Sequence, residues 1–192
     1  MSDNIIVFTP QNIWDQLFDL ARKIKQADFS PDVIIGILRG GLEVTRTLSD
    51  LLEIKQVSTF GVGFYKGINE TLEEPQLTQE LLYDVKNKHV LLVDDVVDTG
   101  KSMAFAMKYL EMKKVNSYKT ATIHYKPHAI YKPDFYVEET SNWIVYPWEY
   151  VEFSKLFINK QRASNKTYHQ IAISLKKLGI PKKVVDDILP EK

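Results

Sequence analysis

The segment that decides the fold is residues 90–102, Val-Leu-Leu-Val-Asp-Asp-Val-Val-Asp-Thr-Gly-Lys-Ser. Its first four residues are apolar, which is typical of a strand that is buried on both faces of a parallel sheet. Two adjacent carboxylates follow, and a polar loop with one glycine then leads into residues 101–113, whose amphipathic pattern predicts a helix. A strand, a short loop and a helix in this order indicate a β-α unit with polar groups at the carboxyl end of its strand.

The flanking sequence repeats this alternation of apolar runs and helical patterns. Apolar runs and short extended pieces predict further strands over residues 33–38, 57–65, 119–125, 135–137 and 143–146. Helical spacing and start signals predict helices after Pro10, over 42–52, from Val151 onward and after Pro181. The polar stretch 67–79 lacks a clear period, and we interpret it as a loop. The alternation indicates an α/β fold with a Rossmann-like parallel sheet covered by helices.

The composition excludes several classes of protein. The 192 residues include 25 Lys and Arg against 25 Asp and Glu, so no overall basic field attracts nucleic acid or an anionic membrane. The chain has no cysteine, which excludes a disulfide scaffold, a thiolate nucleophile and cysteine-bound zinc. No leader-like start and no apolar run of about 20 residues is visible. We therefore expect a soluble cytoplasmic protein with no nucleic-acid or membrane partner.

The acidic pair Asp94–Asp95 lies where parallel α/β sheets bind their ligands, at the carboxyl end of a buried strand. One interpretation is structural, with either carboxylate capping a turn. Adjacent like charges repel each other, however, and this favours a shared cation or a polyol as their partner.

The loop of Asp98, Thr99, Gly100, Lys101 and Ser102 stands directly before the predicted helix. Gly100 permits a tight turn or a positive φ, and the amides of the helix start could bind an anion together with the two hydroxyls. The alternative is an ordinary helix cap. A nucleoside-triphosphate P-loop is excluded because its motif needs glycine at the position of Asp95.

Residues 90–102 closely resemble the phosphoribosyl-pyrophosphate (PRPP) motif of type I phosphoribosyltransferases. The resemblance implies that Asp94 and Asp95 bind the ribose hydroxyls and that residues 98–102 hold the 5′-phosphate. Residues Arg39, Gly40 and Gly41 resemble the pyrophosphate loop of this family, and residues 65–79 occupy the position of its lid. The alternative for the two glycines is a simple strand-to-helix turn.

Two further features resemble microbial xanthine, guanine and hypoxanthine enzymes of this family. Lys126-Pro127 after a predicted strand implies a lysine that donates to the purine O6, and residues 143–149 resemble the purine-binding segment. By position, Trp143 stacks on the purine and Ile144 offers backbone groups to its edge. The alternatives are a solvated lysine and core tryptophans. The resemblance further implies that Asp98 accepts the proton of purine N7.

The implied reaction joins PRPP and a 6-oxopurine to give a nucleoside 5′-monophosphate and pyrophosphate, in purine salvage. The resemblance implies Mg²⁺ as cofactor, held by Glu149, Asp94 and Asp95 and partly through PRPP, and it implies a homodimer. It also implies a transferase domain over 1–155, with a hood from the N-terminal and 126–150 segments, and a helical extension over 156–192.

Two alternatives stay open at this point. One is transfer to another base, such as adenine, uracil or orotate, and the other is a PRPP- or nucleotide-sensing regulator without catalysis. The four histidines are dispersed and have no metal-ligand spacing, so we interpret them as structural or solvent-facing.

Overall fold

The computed structural model describes residues 5–65 and 74–189. The strands are Ile5–Val7 (β1), Val33–Leu38 (β2), Val57–Tyr65 (β3), Glu74–Gln79 (β4), His89–Val97 (β5), Ser117–Tyr125 (β6), Phe135–Glu139 (β7) and Trp143–Val145 (β8). The α-helices are Pro10–Lys25 (α1), Gly41–Leu51 (α2), Lys101–Met112 (α3), Tyr150–Ala163 (α4), Tyr168–Leu178 (α5) and Lys182–Ile188 (α6). The chain divides into two compact units, Trp14–Ser141 and the residues up to Ile13 together with those from Asn142.

The larger unit is built on a six-stranded sheet in the order β4-β3-β2-β5-β6-β7. All neighbouring strands are parallel except β3 and β4, which pair antiparallel. The central strands β2 and β5 are almost entirely buried, as their continuous apolar runs predict. The predicted α/β class with a mostly parallel sheet is confirmed.

The chain connections diverge between β2 and β5. The chain leaves β2 toward β3 on one side, and it leaves β5 toward β6 on the other side. The pairing of β2 with β5 ends at Gly36 and Val93, whereas β5 continues along β6 as far as Val97. Parallel sheets bind ligands at such a switch point, outside the carboxyl ends of the strands.

Two sequence-based boundaries need correction at this place. The acidic pair does not follow its strand, because β5 includes both residues and Asp94 is paired with Thr122 of β6. The predicted loop over 67–79 is a strand in its second part, β4, while residues 66–73 lie outside the described part of the chain. Pro75 and Leu77 are the half-buried positions of β4. Proline is tolerated there because β4 is an edge strand.

The smaller unit contains the parallel pair β1–β8 and the helices α4, α5 and α6. Its core consists of Val145, Tyr150, Ile158, Ile171, Leu175, Ile180 and Val185. Helix α5 begins with a capping box, in which Thr167 and Gln170 each accept the backbone N–H of the other. It ends at Gly179, whose φ of +98° closes the helix. The predicted helical pattern after Val151 is confirmed, and strand β1 was not predicted.

The predicted division into residues 1–155 and 156–192 stays a prediction, and its boundary lies inside α4. Within the described ranges, no helix combines the length and the apolar character that crossing a bilayer requires.

His124 of β6 generates a prediction about stability. The residue is fully buried, and burial together with the charge of Lys126 lowers its pKa to about 4. The histidine of the unfolded chain takes up its proton near its ordinary pKa of 6.5, so between these values the unfolded state binds more protons. Stability should therefore fall as the pH drops from about 6.5 to about 4, by up to about 3 kcal/mol.

We expect His124→Gln to remove this part of the pH dependence. Denaturant unfolding of the wild type and of His124→Gln at about pH 7.5 and about pH 4.5 tests this expectation. The wild type should lose more unfolding free energy between the two pH values than the variant does. If the wild type and the variant differ by the same unfolding free energy at both pH values, His124 is not the cause of the pH dependence.

Candidate active site

The acidic pair lies on β5 beyond the last residue that pairs with β2. Asp95 is only 6% exposed, whereas Asp94 is half-buried. The backbone N–H of Asp95 donates to Oδ1 of Asp94 at 2.9 Å. One oxygen of Asp94 is therefore engaged with the chain itself, and the pair is held rigidly on its strand.

The loop after β2 lies directly against this pair. The Leu38–Arg39 peptide is cis, and Arg39 is exposed. A Cβ atom added to Gly40 would lie 2.3 Å from Oδ2 of Asp95, and one added to Gly41 would lie 2.5 Å from the carbonyl oxygen of Val93. The two glycines thus permit a backbone approach that any side chain would prevent. The structure brings the predicted pyrophosphate loop and the acidic pair together.

The loop after β5 leads straight into α3. Gly100 has a φ of +85°, which confirms the positive φ expected for it, and α3 begins at Lys101. The backbone N–H of Lys101 donates to the Thr99 hydroxyl at 3.3 Å, and its ammonium lies 3.9 Å from Glu74. The first-turn amides of a helix lack partners within it and attract anions. The loop therefore has the geometry of an anion-binding helix start.

The segment after β6 forms a tight turn beside this loop. The backbone N–H of Ala129 donates to the Lys126 carbonyl at 3.0 Å, with Pro127 at the second position, where β-turns favour proline. The backbone N–H of Lys126 donates to the Val97 carbonyl at 2.9 Å. The Lys126 side chain is buried; burial lowers its pKa, and the negative charge of Asp98 opposes that shift. The structure thus brings Lys126 and Asp98 into one charged group.

His128 of the same turn contacts Asp98. Its Nε2 lies 3.0 Å from Oδ1 of the carboxylate, and both side chains are more than half exposed. The sequence interpretation of a structural or solvent-facing histidine missed this contact. Strand register could have revealed it: β5 and β6 are parallel, and Val97 and Tyr125 are partners, so the residues that follow them lie side by side.

The purine-segment residues lie in the smaller unit. Trp143 of β8 is 62% exposed, whereas its neighbour Ile144 is buried. Trp148 stacks on Tyr146, with ring centroids 4.8 Å apart and nearly parallel planes. The backbone N–H of Tyr146 lies 3.4 Å from the carboxylate of Glu149, which supports the 3₁₀ turn Pro147–Glu149.

Among residues 5–65 and 74–189, no three histidine, aspartate or glutamate side chains converge on one point. The carboxylates of Asp94 and Asp95 are hard oxygen donors, which suit Mg²⁺ when phosphate oxygens and waters complete its coordination.

A family model described as the phosphoribosyl transferase domain matches residues 8–153 of this chain. The chain belongs to this family. The match contains all the loops described above as well as Lys126, Trp143, Ile144 and Glu149.

Individual relatives agree with the family. The chain is 32% identical over 124 residues to a hypoxanthine-guanine phosphoribosyltransferase of Staphylococcus aureus, across 62% of this chain and 65% of that enzyme. A solved purine phosphoribosyltransferase of Pyrococcus horikoshii is 36% identical with a TM-score of 0.69, over 76% of this chain and 93% of that one. A hypothetical protein of Neisseria gonorrhoeae with bound ppGpp is 29% identical with a TM-score of 0.70, over 76% and 89%.

Gly40 of this phosphoribosyl transferase domain provides a test of the contact between the loop and the acidic pair. We expect Gly40→Ala to displace the Asp95 carboxylate, because the new methyl group and Oδ2 would overlap. If the chain binds PRPP, as its sequence predicts, calorimetry should show this binding weakened by about tenfold or more. Glu43→Ala, at an exposed position in the next turn, is the matched control and should bind as the wild type does. Unchanged affinity in Gly40→Ala would contradict the role of this contact.

Proposed function

We propose that this phosphoribosyl transferase domain transfers the 5-phosphoribosyl group of PRPP to a 6-oxopurine, that is, hypoxanthine, guanine or xanthine. The products are the nucleoside 5′-monophosphate and pyrophosphate. The observation that carries the proposal is the convergence of three chain segments at the carboxyl ends of β2, β5 and β6, which joins glycine-rich backbone, an acidic pair and a buried lysine. The names of the S. aureus and P. horikoshii relatives support a purine acceptor.

The residues that bind PRPP in this proposal are assigned from their chemistry. Asp94 and Asp95 accept hydrogen bonds from the two ribose hydroxyls, and the start of α3 with Thr99, Gly100 and Ser102 binds the 5′-phosphate. The amides of residues 39–41 receive the pyrophosphate, since Gly40 and Gly41 let the anion approach the backbone. Lys101 adds a positive charge to the phosphate side of the loop.

Lys126 sets the choice of base in this proposal. It donates a hydrogen bond to O6 of the purine, whereas the amino group of adenine at the same position would confront one donor with another. The burial of the lysine strengthens this discrimination, because a lost hydrogen bond to the base is not readily replaced by water at a buried position. Trp143 stacks on the purine face, and the backbone of Ile144 binds its edge.

The reaction exchanges one bond at C1′ for another and releases one proton from the base. The C1′–O bond breaks and its electrons leave with pyrophosphate, while the lone pair of purine N9 forms the new bond to C1′. The Asp98 carboxylate accepts the proton of N7, which raises the nucleophilicity of the base. Asp94, Asp95 and Glu149 would hold Mg²⁺ together with oxygens of PRPP, and the ion would supply positive charge for the leaving pyrophosphate.

A nucleotide-binding regulator without catalysis is the second candidate. The N. gonorrhoeae structure contains bound ppGpp, a guanine nucleotide with several phosphates. The same anion-binding loops would accept such a ligand in this chain. Calorimetric binding of PRPP or ppGpp with no turnover of any base would favour this candidate.

The homodimer and the cytoplasmic location that the resemblance implies belong to the proposal as well. So does the assignment of residues 1–155 to the transferase and of 156–192 to a helical extension. Light scattering of the full chain tests the dimer.

A panel of bases tests the proposed function. The full chain with PRPP and Mg²⁺ should convert at least one of hypoxanthine, guanine and xanthine, with kcat/KM at least about 100-fold above that for adenine. Uracil and orotate should not react. Adenine as the best substrate would contradict the assignment of Lys126, and no conversion of any base would contradict the enzyme.

Lys126→Met keeps most of the volume of the side chain but removes its donor. We expect it to reduce kcat/KM for the preferred 6-oxopurine by about tenfold to 100-fold, since a buried donor is lost. Lys108→Met, on the exposed side of α3, is the matched control. Equal loss in both variants would remove Lys126 from the site.

Asp98→Asn tests the proton acceptor. The amide is isosteric but cannot take up the N7 proton, so kcat should fall by about 100-fold to 10,000-fold while KM for PRPP changes little. Steady-state kinetics across the pH range measures both parameters. An Asp98→Asn enzyme with most of the wild-type kcat would disprove the role.

A further inference from the structure

We propose that His128 is a positioning residue for Asp98. In this role, which rests on the proposed function, the imidazole Nε2–H donates to Oδ1 of the carboxylate and holds it in place to accept the purine proton. The observed distance between the two atoms is 3.0 Å.

The chemistry of the pair defines which group donates. An ionised carboxylate has acceptors only, so the ring nitrogen that contacts it must carry the hydrogen. The Nε2–H tautomer of a neutral imidazole satisfies this requirement, and so does an imidazolium ion. In the proposed role His128 is the donor of this hydrogen bond, and Asp98 takes up the proton that the substrate releases.

The backbone around His128 is anchored to the same loop at two further points. The backbone N–H of Ile130 donates to the Thr99 carbonyl at 2.9 Å. Gly100 lies so close to this segment that an added Cβ would be 3.0 Å from Ile130 and 3.1 Å from the backbone nitrogen of Tyr131. Together with the proline turn Lys126–Ala129, these contacts fix the position of His128 relative to Asp98.

Folding stability does not explain the pair. The side chains of His128 and Asp98 are 59% and 58% exposed, and exposed ion pairs contribute little to stability because water screens them. A hydrogen bond of this kind still restricts the rotation of a carboxylate, and catalysis depends on such restriction. We therefore expect the loss of this hydrogen bond to lower the reaction rate more than it lowers folding stability.

His128 also complements Lys126. Both side chains are donors near the Asp98 carboxylate, but Lys126 is the proposed partner of purine O6. His128 then supplies a donor that remains on Asp98 in the substrate complex. In this arrangement Lys126 donates to the base, and His128 donates to the proton acceptor.

The experiment compares His128→Ala, His128→Gln and Asp98→Asn, together with the double variant His128→Ala/Asp98→Asn. We expect His128→Ala to lower kcat by about tenfold or more, with both KM values within about twofold of the wild type. His128→Gln should recover most of the loss, because its amide N–H replaces the ring donor. His169→Ala, at an exposed position of α5, is the matched control and should retain wild-type kinetics.

The double variant separates positioning from a general structural effect. In the Asp98→Asn background, His128→Ala should cause no further loss in kcat, because there is no longer a carboxylate to position. The role is overturned if His128→Ala keeps wild-type kcat, or if it lowers kcat equally with and without Asp98. A wild-type chain that converts no base overturns the proposed function and this role with it, so the two failures are distinguishable.

Discussion

The close approach of the loop after β2 to strand β5 is the constraint on which the larger unit depends. The pairing of β2 with β5 ends at Gly36 and Val93, and the loop after β2 lies against the part of β5 beyond that point. A Cβ atom at position 41 would collide with the Val93 carbonyl, and one at position 40 would displace the Asp95 carboxylate, so glycine suits both positions. The same approach buries Asp95 and places the backbone of residues 39–41 directly against the acidic pair.

Strand register then determines which charged groups meet. Val97 and Tyr125 are partners in the parallel pair β5–β6, so Asp98 and Lys126 begin their loops next to each other. Burying a lysine is unfavourable because its charge loses hydration, and the Asp98 carboxylate compensates for part of that loss. His128 reaches the same carboxylate from the proline turn. The three side chains therefore act as one electrostatic group, and changing any one of them changes the environment of the others.

The sequence predicted those parts of the fold that depend on local pattern. Strands β2 and β3 and helix α1 were predictable because their apolar residues recur at strand or helix spacing. Strand β4 was not predictable, since its alternation is short and contains Pro75, which is tolerated because β4 lies at the edge of the sheet. The contact between His128 and Asp98 joins residues 30 positions apart, and only the register of β5 and β6 brings them together.

The sequence left two interpretations of Trp143 open, and the structure excludes one of them, a core position. Tryptophans are highly buried on average, so a core position was a real alternative. In the short strand β8, Ile144 takes the buried side and Trp143 is 62% exposed. Trp148 is different, because it stacks on Tyr146 and has a structural role. An exposed indole gains apolar burial when a planar ligand covers it, and base stacking of this kind contributes about 1–3 kcal/mol. The exposure of Trp143 therefore excludes a core position, and the ligand contact of this residue stays part of the proposed function.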